Sequence, residues 1–136
     1  ADGLTAQADA ADVTHALTAQ TSCVIDALSA ENFAGIDPGY GPRRGHITGA
    51  VNLPSTQLFA GPTAAFRDAA TIHRHLTDAG LFEREQVITY CGGAIAATVV
   101  AFALALFDHP SVQVYDGSLM EWSRDPSLPM TDPSAS

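Results

Sequence analysis

Cys91 is the residue in this 136-residue chain whose type and setting most directly indicate chemistry. The β-branched segment 87–90 before it predicts a buried strand, and the apolar segment from Ala94 onward is typical of a helix. A cysteine in the sharp turn between the two faces backbone amides and the positive end of the helix dipole. Both stabilise a thiolate, so the pattern predicts sulfur chemistry at Cys91.

The predicted active loop has six residues, and two adjacent glycines let its backbone curl around the sulfur. Its residues are Cys91, Gly92, Gly93, Ala94, Ile95 and Ala96. A tyrosine-phosphatase loop needs an arginine six positions after its cysteine to clamp phosphate oxygens, and Ala97 occupies that position. Phosphatase activity is therefore not expected. The sequence also lacks the nucleotide-triphosphate loop with its terminal lysine and the dinucleotide glycine pattern.

Alternating strand and helix patterns surround this loop and predict an α/β fold with a parallel sheet covered by helices. The predicted strands lie at 23–27, 50–54, 87–90 and 112–115, and the main predicted helices at 10–20, 64–79 and 94–107. The last helix is apolar around its circumference, which predicts burial on most of its sides.

Polar residues follow the predicted strands at the points where the strands end. They are Asp26, Asn52, Cys91 and Asp116. In parallel sheets, ligands bind outside the carboxyl ends of the strands, so we expect a site at this rim. Asp26 and Asp116 are predicted to support it.

Charge and cysteine content narrow the function classes. Fifteen acidic residues against six arginines and no lysine give a formal net charge of −9, which disfavours nucleic acid or an anionic membrane as a partner. Two cysteines provide neither a disulfide framework nor a zinc ligand set, and Cys23, inside a predicted strand, is expected to be a core residue. No metal or cofactor is expected. A working thiol predicts a reducing cytoplasm.

One segment, 87–107, is uncharged and long enough to be considered as a membrane span. Its glycines, Gly92 and Gly93, and the lack of a cluster of basic residues on either flank favour a buried strand followed by a buried helix. No membrane association is therefore expected.

Arg43 and Arg44 form the only adjacent basic pair and follow a loop, 37–42, that is rich in turn-forming residues. Two interpretations are open: a solvated loop, or a site that receives an anionic substrate through the guanidinium groups. His46, just before an apolar strand, is expected to make a structural hydrogen bond.

Several motifs in the chain occur together in one known family. They are Asp26-Ala27, Gly45-His46-Ile47, Gly49 to Pro54, Tyr90-Cys91-Gly92-Gly93, and a last segment of Tyr115 to Ser118 with Glu121-Trp122 and Asp125-Pro126 through Leu128-Pro129. Together they resemble the rhodanese (sulfurtransferase) superfamily. The last segment is similar to the catalytic C-terminal domain of tandem-domain thiosulfate and 3-mercaptopyruvate sulfurtransferases.

The resemblance implies a small five-stranded parallel sheet with helices on both faces. It also implies that residues 1–136 form a single rhodanese domain, with a lead-in over about 1–8 and a tail over about 127–136. Excision from a tandem-domain protein, with an N-terminal rhodanese domain as partner in the parent chain, would explain the length.

The resemblance further implies that Cys91 is the nucleophile. Its thiolate would take sulfur from a small anionic donor, thiosulfate or 3-mercaptopyruvate, hold it as a persulfide and pass it to a thiol or cyanide. An alternative is a rhodanese-fold module that binds a partner or relays sulfur with little turnover.

Two departures from the family pattern bear on this choice. The loop carries Gly93, Ala94 and Ala96 where the mercaptopyruvate type has Ser, Gly and Thr. The arginines that tandem members place after the first strand appear here as Leu28 and Asn32. Arg43 and Arg44 are predicted to compensate by binding the substrate.

Overall fold

A computed structural model describes residues 7–37, 40–60, 65–66, 68–92 and 95–135. The strands, in chain order, are β1 (Gln7–Ala8), β2 (Ser22–Asp26), β3 (His46–Ile47), β4 (Val51–Asn52), β5 (Phe59–Ala60), β6 (Ala65–Phe66), β7 (Gln86–Tyr90), β8 (Val112–Tyr115) and β9 (Met130–Thr131). Five of them form one sheet in the order β1-β8-β7-β2-β4. All of its pairings are parallel, so its strands end at one edge.

Helices cover this sheet. They are α1 (Ala10–Thr18), α2 (Ala30–Phe33), α3 (Ala69–Asp78), α4 (Ile95–Leu106) and α5 (Ser118–Trp122). A capping box starts α1, because the Asp9 carboxylate accepts from the Asp12 N–H and the Asp12 carboxylate accepts from the Asp9 N–H. The predicted α/β fold with a five-stranded parallel sheet is confirmed.

The core lies between the central strands and the helices packed on them. Its largest fully buried side chains include Ile25 of β2, Tyr90 of β7, Tyr115 of β8 and Trp122 of α5. The Trp122 Nε1–H donates to the Pro129 carbonyl at 2.9 Å, which holds the segment after α5 against the core. β7 is the middle strand of the sheet, so Cys91 follows the carboxyl end of its central strand.

Short antiparallel pairs lie outside the main sheet: β3 with β9, and β5 with β6. The lead-in predicted at the N-terminus therefore ends in β1, which pairs with β8, and the predicted C-terminal tail contains β9.

The helix predicted over 64–79 is wrong at its start. Ala65–Phe66 form β6, and α3 begins only at Ala69, where the Asp68 carboxylate caps it by accepting from the Thr71 N–H at 2.9 Å. Phe66 fits a strand as well as a helical face, and the cap decides where the helix begins.

The burial predicted for the helix after Cys91 holds for only part of α4. Ala97, Val100 and Leu104 are buried, but Phe102 is 37% exposed and Leu106 is 56% exposed. Residues four apart lie on one face of a helix, so α4 presents an apolar stripe to solvent.

The uncharged segment considered as a membrane span divides between β7 and α4. No helix in the described ranges combines the length and apolar character that a membrane crossing requires.

Candidate active site

Cys91 lies directly after β7 and is only 1% exposed. Its peptide groups are bound on both sides by the start of α5. The Cys91 N–H donates to Ser118 Oγ at 3.2 Å, and the Cys91 carbonyl accepts from the Leu119 N–H at 3.0 Å. The carboxyl end of the central strand is therefore fixed in position by the element that follows the neighbouring strand, β8.

Ser118 makes this support possible. Its side chain is fully buried, and its hydroxyl donates to the Tyr115 carbonyl at 2.9 Å while accepting from Cys91. Its φ of 52° is in the left-handed region, which is unfavourable for a residue with a side chain. Gly117 occupies the N-cap position of α5, so Ser118 is the first residue of the helix.

A second buried network lies behind the same strand end. The Tyr90 hydroxyl donates to Asp26 Oδ2 at 2.6 Å and accepts from the Ile47 N–H at 3.0 Å. Asp26 Oδ1 accepts from the Leu28 N–H at 2.8 Å. Because Tyr90 immediately precedes Cys91, this network fixes the backbone that leads into the cysteine.

The environment of the network perturbs both ionisable groups. Burial raises the pKa of Asp26, and the hydrogen bonds from Tyr90 and Leu28 together with the His46 charge oppose that rise. Burial and the Asp26 charge raise the pKa of Tyr90 well above its ordinary value. Asp26 thus lies at the predicted edge of the sheet, where it supports the backbone from within. Asp116 is exposed, and its supporting role stays a prediction.

Gly92, the loop residue after Cys91, is buried against an aromatic ring. A side chain built at this position would begin 2.3 Å from Cγ and from Cδ1 of Tyr40. A side chain at this position would therefore fit only if that ring moved away.

The rest of the predicted loop is only partly visible. Gly93 and Ala94 lie outside the described residues. Ile95 and Ala96 form the first turn of α4, so the positive end of this helix dipole lies within a few residues of Cys91. Ala97 follows in the same helix, where its carbonyl accepts from the buried Thr89 hydroxyl at 2.9 Å.

Arg43 is bound to the C-terminal end of α5. Its Nε donates to the Ser123 carbonyl at 3.0 Å, and its Nη2 donates to the carbonyls of Trp122 and Asp125 at 3.0 and 2.9 Å. These bonds hold Arg43 against the end of α5 and the turn that follows it, which is a structural task.

Arg44 makes weaker contacts, because its Nη1 lies 3.4 Å from the Gly35 carbonyl and 3.3 Å from the Ile36 carbonyl. A cavity of about 410 Å³ is lined by both arginines together with Pro42, Met130 and Asp132. The substrate-binding role predicted for the arginine pair stays a prediction.

The other residues considered from the sequence have structural surroundings. His46 Nδ1 lies 2.7 Å from the Phe33 carbonyl, and the two rings stack at 3.6 Å, as expected for a structural histidine. Cys23 is half-buried in β2 and packs against the core. Within the part of the chain described, no group of three or more His, Cys, Asp or Glu residues could hold a metal ion.

Residues 8–125 match the family model of the rhodanese-like domain. The chain is 39% identical over 124 residues to the 3-mercaptopyruvate sulfurtransferase of Escherichia coli, an alignment that covers 88% of this chain and 42% of that protein. It is 30% identical over 108 residues to a mitochondrial thiosulfate/3-mercaptopyruvate sulfurtransferase of Arabidopsis thaliana, covering 78% and 28%. The chain therefore spans less than half the length of these curated relatives.

Solved structures share the fold at lower identity. The anaerobic ergothioneine biosynthesis enzyme of Chlorobium limicola, in complex with trimethyl histidine, superposes with a TM-score of 0.84 at 22% identity, covering 95% of this chain and 32% of that chain. A variant of the enzyme EanB, with ergothioneine covalently linked with a cysteine persulfide, gives a TM-score of 0.84 at 22% identity, covering 96% and 32%. With the family model matching most of the chain, the chain belongs to the rhodanese-like domain family.

Proposed function

We propose that this chain is a sulfurtransferase domain that carries a sulfane sulfur on Cys91 as a persulfide. The observation that carries the proposal is the position of Cys91 between the end of the central strand β7 and the first turn of α4. The N–H and the carbonyl of Cys91 are both hydrogen-bonded, so its backbone is held in place at the edge where parallel sheets bind ligands. The names of the relatives support the same class of reaction.

In the first step the Cys91 thiolate attacks the outer sulfur of the donor. A sulfur–sulfur bond forms at Cys91, and the bond between that sulfur and the rest of the donor breaks. Thiosulfate then releases sulfite with the bonding electron pair, and 3-mercaptopyruvate releases pyruvate after the departing enolate takes a proton.

In the second step an acceptor thiolate attacks the outer sulfur of the persulfide. The acceptor leaves as a persulfide, or as thiocyanate where the acceptor is cyanide, and the Cys91 thiolate is regenerated. In each step a nucleophile attacks the transferred sulfur and the leaving group departs with the bonding electron pair, so no oxidant is consumed.

Stabilisation of the sulfur anion comes from the residues after Cys91. The Cys91 N–H is already used by Ser118, so it does not point into the loop. Amides in the first turn of α4 and the dipole of that 12-residue helix supply the positive potential, as the donors of an oxyanion hole do.

The proposed partners are a small anionic sulfur donor and a thiol acceptor in a reducing compartment. An N-terminal rhodanese domain in the parent chain is a further proposed partner, since the chain covers 42% of its Escherichia coli relative. Such a domain would supply substrate contacts that Leu28 and Asn32 do not offer.

A binding or sulfur-relay module is the second candidate. The nearly complete burial of Cys91 favours it, and so does the engagement of Arg43 by backbone carbonyls. Such a module would accept sulfur from a protein and turn over small donors poorly.

Mass spectrometry of the intact chain tests the proposal. After incubation with thiosulfate or 3-mercaptopyruvate, we expect the mass to increase by one sulfur atom. Cys91→Ser should prevent the increase, and Cys23→Ser, the matched thiol replacement, should leave it unchanged. No adduct with any donor would contradict the enzyme and favour the binding module.

A further inference from the structure

The ring of Tyr40 packs against Gly92, the residue that follows Cys91. Its Cγ, Cδ1 and Cδ2 are the three atoms nearest to where a Gly92 side chain would begin, at 2.3, 2.3 and 2.5 Å. Gly92 and its neighbour Cys91 are both buried, whereas Tyr40 is 45% exposed. One side of the ring therefore rests on the loop while the rest of the side chain faces solvent.

Gly41, the residue after Tyr40, packs against the buried hydroxyl of Ser123. A Cβ built on Gly41 would lie 1.8 Å from Ser123 Oγ, so the Gly41 backbone packs directly against that oxygen. Ser123 Oγ is buried and has no hydrogen-bond partner among the described residues. An unpaired buried hydroxyl carries a desolvation cost, which water would relieve if Gly41 moved away.

The two ends of this short segment are thus held differently. Arg43 is tied to α5 by three hydrogen bonds, while Tyr40 is held at the loop by the packing of its ring. Ring packing without specific bonds gives way at lower cost than a set of charge-assisted hydrogen bonds.

We infer that Tyr40 determines which molecules reach Cys91. With its ring on Gly92 the site admits small reagents, and larger ones must displace the ring. The consequence for sulfur transfer rests on the proposed function, because a small donor would enter readily while a bulky acceptor thiol would be restricted. The shielding of the thiol does not rest on it.

Alkylation of the full chain measures the shielding directly. Iodoacetamide serves as the small reagent and a polyaromatic maleimide as the bulky one, with peptide mass spectrometry reporting each cysteine separately. Tyr40→Ala should speed modification of Cys91 by the bulky reagent about tenfold, the size expected from loss of one aromatic packing contact, and by iodoacetamide much less. Cys23 provides the internal reference, and its rate should not change.

Two control variants separate the ring from other effects. Tyr40→Phe keeps the ring and should match the wild type. Ile36→Ala removes an apolar side chain that is 63% exposed and is not among the atoms nearest Gly92, so it should leave the Cys91 rate unchanged. If Tyr40→Phe behaved like Tyr40→Ala, the ring would not be the determinant and the inference would be overturned.

Gly92→Ala supplies a second, independent test. Gly92 is not among the described glycines with positive φ, so alanine is conformationally allowed there and the obstacle is the Tyr40 ring. Gly92→Ala should displace the ring and speed alkylation of Cys91. In the Tyr40→Ala background it should add little, so additive effects of the two substitutions would overturn the inference.

A kinetic readout links the shielding to sulfur transfer. Tyr40→Ala should lower KM for a tripeptide thiol acceptor several-fold and leave KM for cyanide unchanged. Failure of the proposed function would appear as no persulfide in any variant, with the alkylation pattern intact. Failure of this inference would appear as equal alkylation rates of Cys91 in Tyr40→Ala and the wild type.

Discussion

The two cysteines of this chain lie in neighbouring strands and have opposite surroundings. Cys23 lies inside β2, where it pairs with Val87 at the beginning of β7, and Cys91 follows the end of β7. Burial raises the pKa of Cys23, with Arg84 opposing the rise, so its thiol is kept protonated. Cys91 instead lies between the end of β7 and the start of α4, and its backbone donates one hydrogen bond to α5 and accepts one from it. Position along the strand, rather than residue type, distinguishes a structural thiol from a candidate nucleophile.

The same contrast extends to the two ends of the sheet. At the amino end, Ser22 Oγ donates to Gln86 Oε1 at 3.0 Å and Gln86 Nε2 donates to Gln113 Oε1 at 2.6 Å, in a partly buried chain of neutral groups. At the carboxyl end, the Asp26–Tyr90 pair is fully buried and includes an ionisable carboxyl. The end that carries the candidate site is the one that holds the more costly polar groups.

Replacing each cysteine with serine should produce the largest effect on the rate of sulfur transfer. Cys91→Ser should lower thiocyanate formation from thiosulfate and cyanide by at least about a thousandfold, because a serine hydroxyl is not ionised and cannot hold a sulfane sulfur. Cys23→Ser should retain most of the activity. Equal losses in the two variants would remove the contrast between the cysteines.

Truncation of the buried carboxyl should produce the largest effect on stability. Asp26→Ala leaves the Tyr90 hydroxyl and the Leu28 N–H without their acceptor, which should lower the free energy of unfolding by about 3 kcal/mol. Urea unfolding measures the change. Ser22→Ala at the amino end should cost about 1 kcal/mol, since its partner is neutral and partly solvated. A loss as large as that of Asp26→Ala would show that the two ends do not differ.

The α/β fold and the position of Cys91 between a strand and a helix were predictable from the sequence because they depend on local patterns. A β-branched run, two glycines and an apolar run follow one another directly, and the resulting strand-to-helix turn needs no distant contact. The capping box of α1 is equally local, since Asp9 and Asp12 lie three residues apart.

Contacts between distant segments were not predictable. Ser118 meets Cys91 only because β8 lies beside β7, and Tyr40 meets Gly92 only after the chain has returned to the edge of the sheet. The arginine pair shows a different limit, because a guanidinium binds backbone carbonyls and anions through the same donors. The sequence pattern alone therefore could not separate the structural role of Arg43 from substrate binding.

The pH dependence of the free energy of unfolding should distinguish the Asp26–Tyr90 network from the neutral chain of Ser22, Gln86 and Gln113. Asp26 has a raised pKa when folded, so the stability it contributes is fully present below its ordinary value of 3.8 and is lost as pH rises through the folded pKa. Tyr90→Phe removes a hydrogen bond to the charged form. It should therefore cost about 2 kcal/mol at the higher pH, where the carboxyl is charged, and less at a lower pH, where it is protonated.

Unfolding in urea at both pH values measures this difference. In an Asp26→Asn background the effect of Tyr90→Phe should no longer vary with pH, because the ionisable group is gone. A cost of Tyr90→Phe that rises as the pH falls would contradict the assignment of the carboxylate as the partner.

Ser118 offers a smaller effect with an internal comparison. Ser118→Ala loses the bonds to Cys91 and Tyr115 and keeps the left-handed backbone strain, so it should lower the free energy of unfolding by about 2 kcal/mol. Ser118→Gly loses the same bonds but relieves the strain, and it should be the less damaging change. Both variants should transfer sulfur more slowly, since the Cys91 N–H has lost its acceptor. Normal turnover in both would confine Ser118 to stability.

The smallest predicted effect is an increase in stability. Among the described residues, Ser123 Oγ is the one buried side-chain polar atom without a hydrogen-bond partner. Ser123→Ala removes this hydroxyl without opening a large cavity, so it should raise the free energy of unfolding by up to about 1 kcal/mol. Gly41→Ala, whose methyl would meet that oxygen at 1.8 Å, should be destabilising in the wild type and much less so in Ser123→Ala. Thermal unfolding of the four proteins measures this coupling. A loss of stability in Ser123→Ala would show that the hydroxyl has a hydrogen-bond partner. The contact between Gly41 and Ser123 would then hold the neighbouring Tyr40 more firmly than ring packing alone.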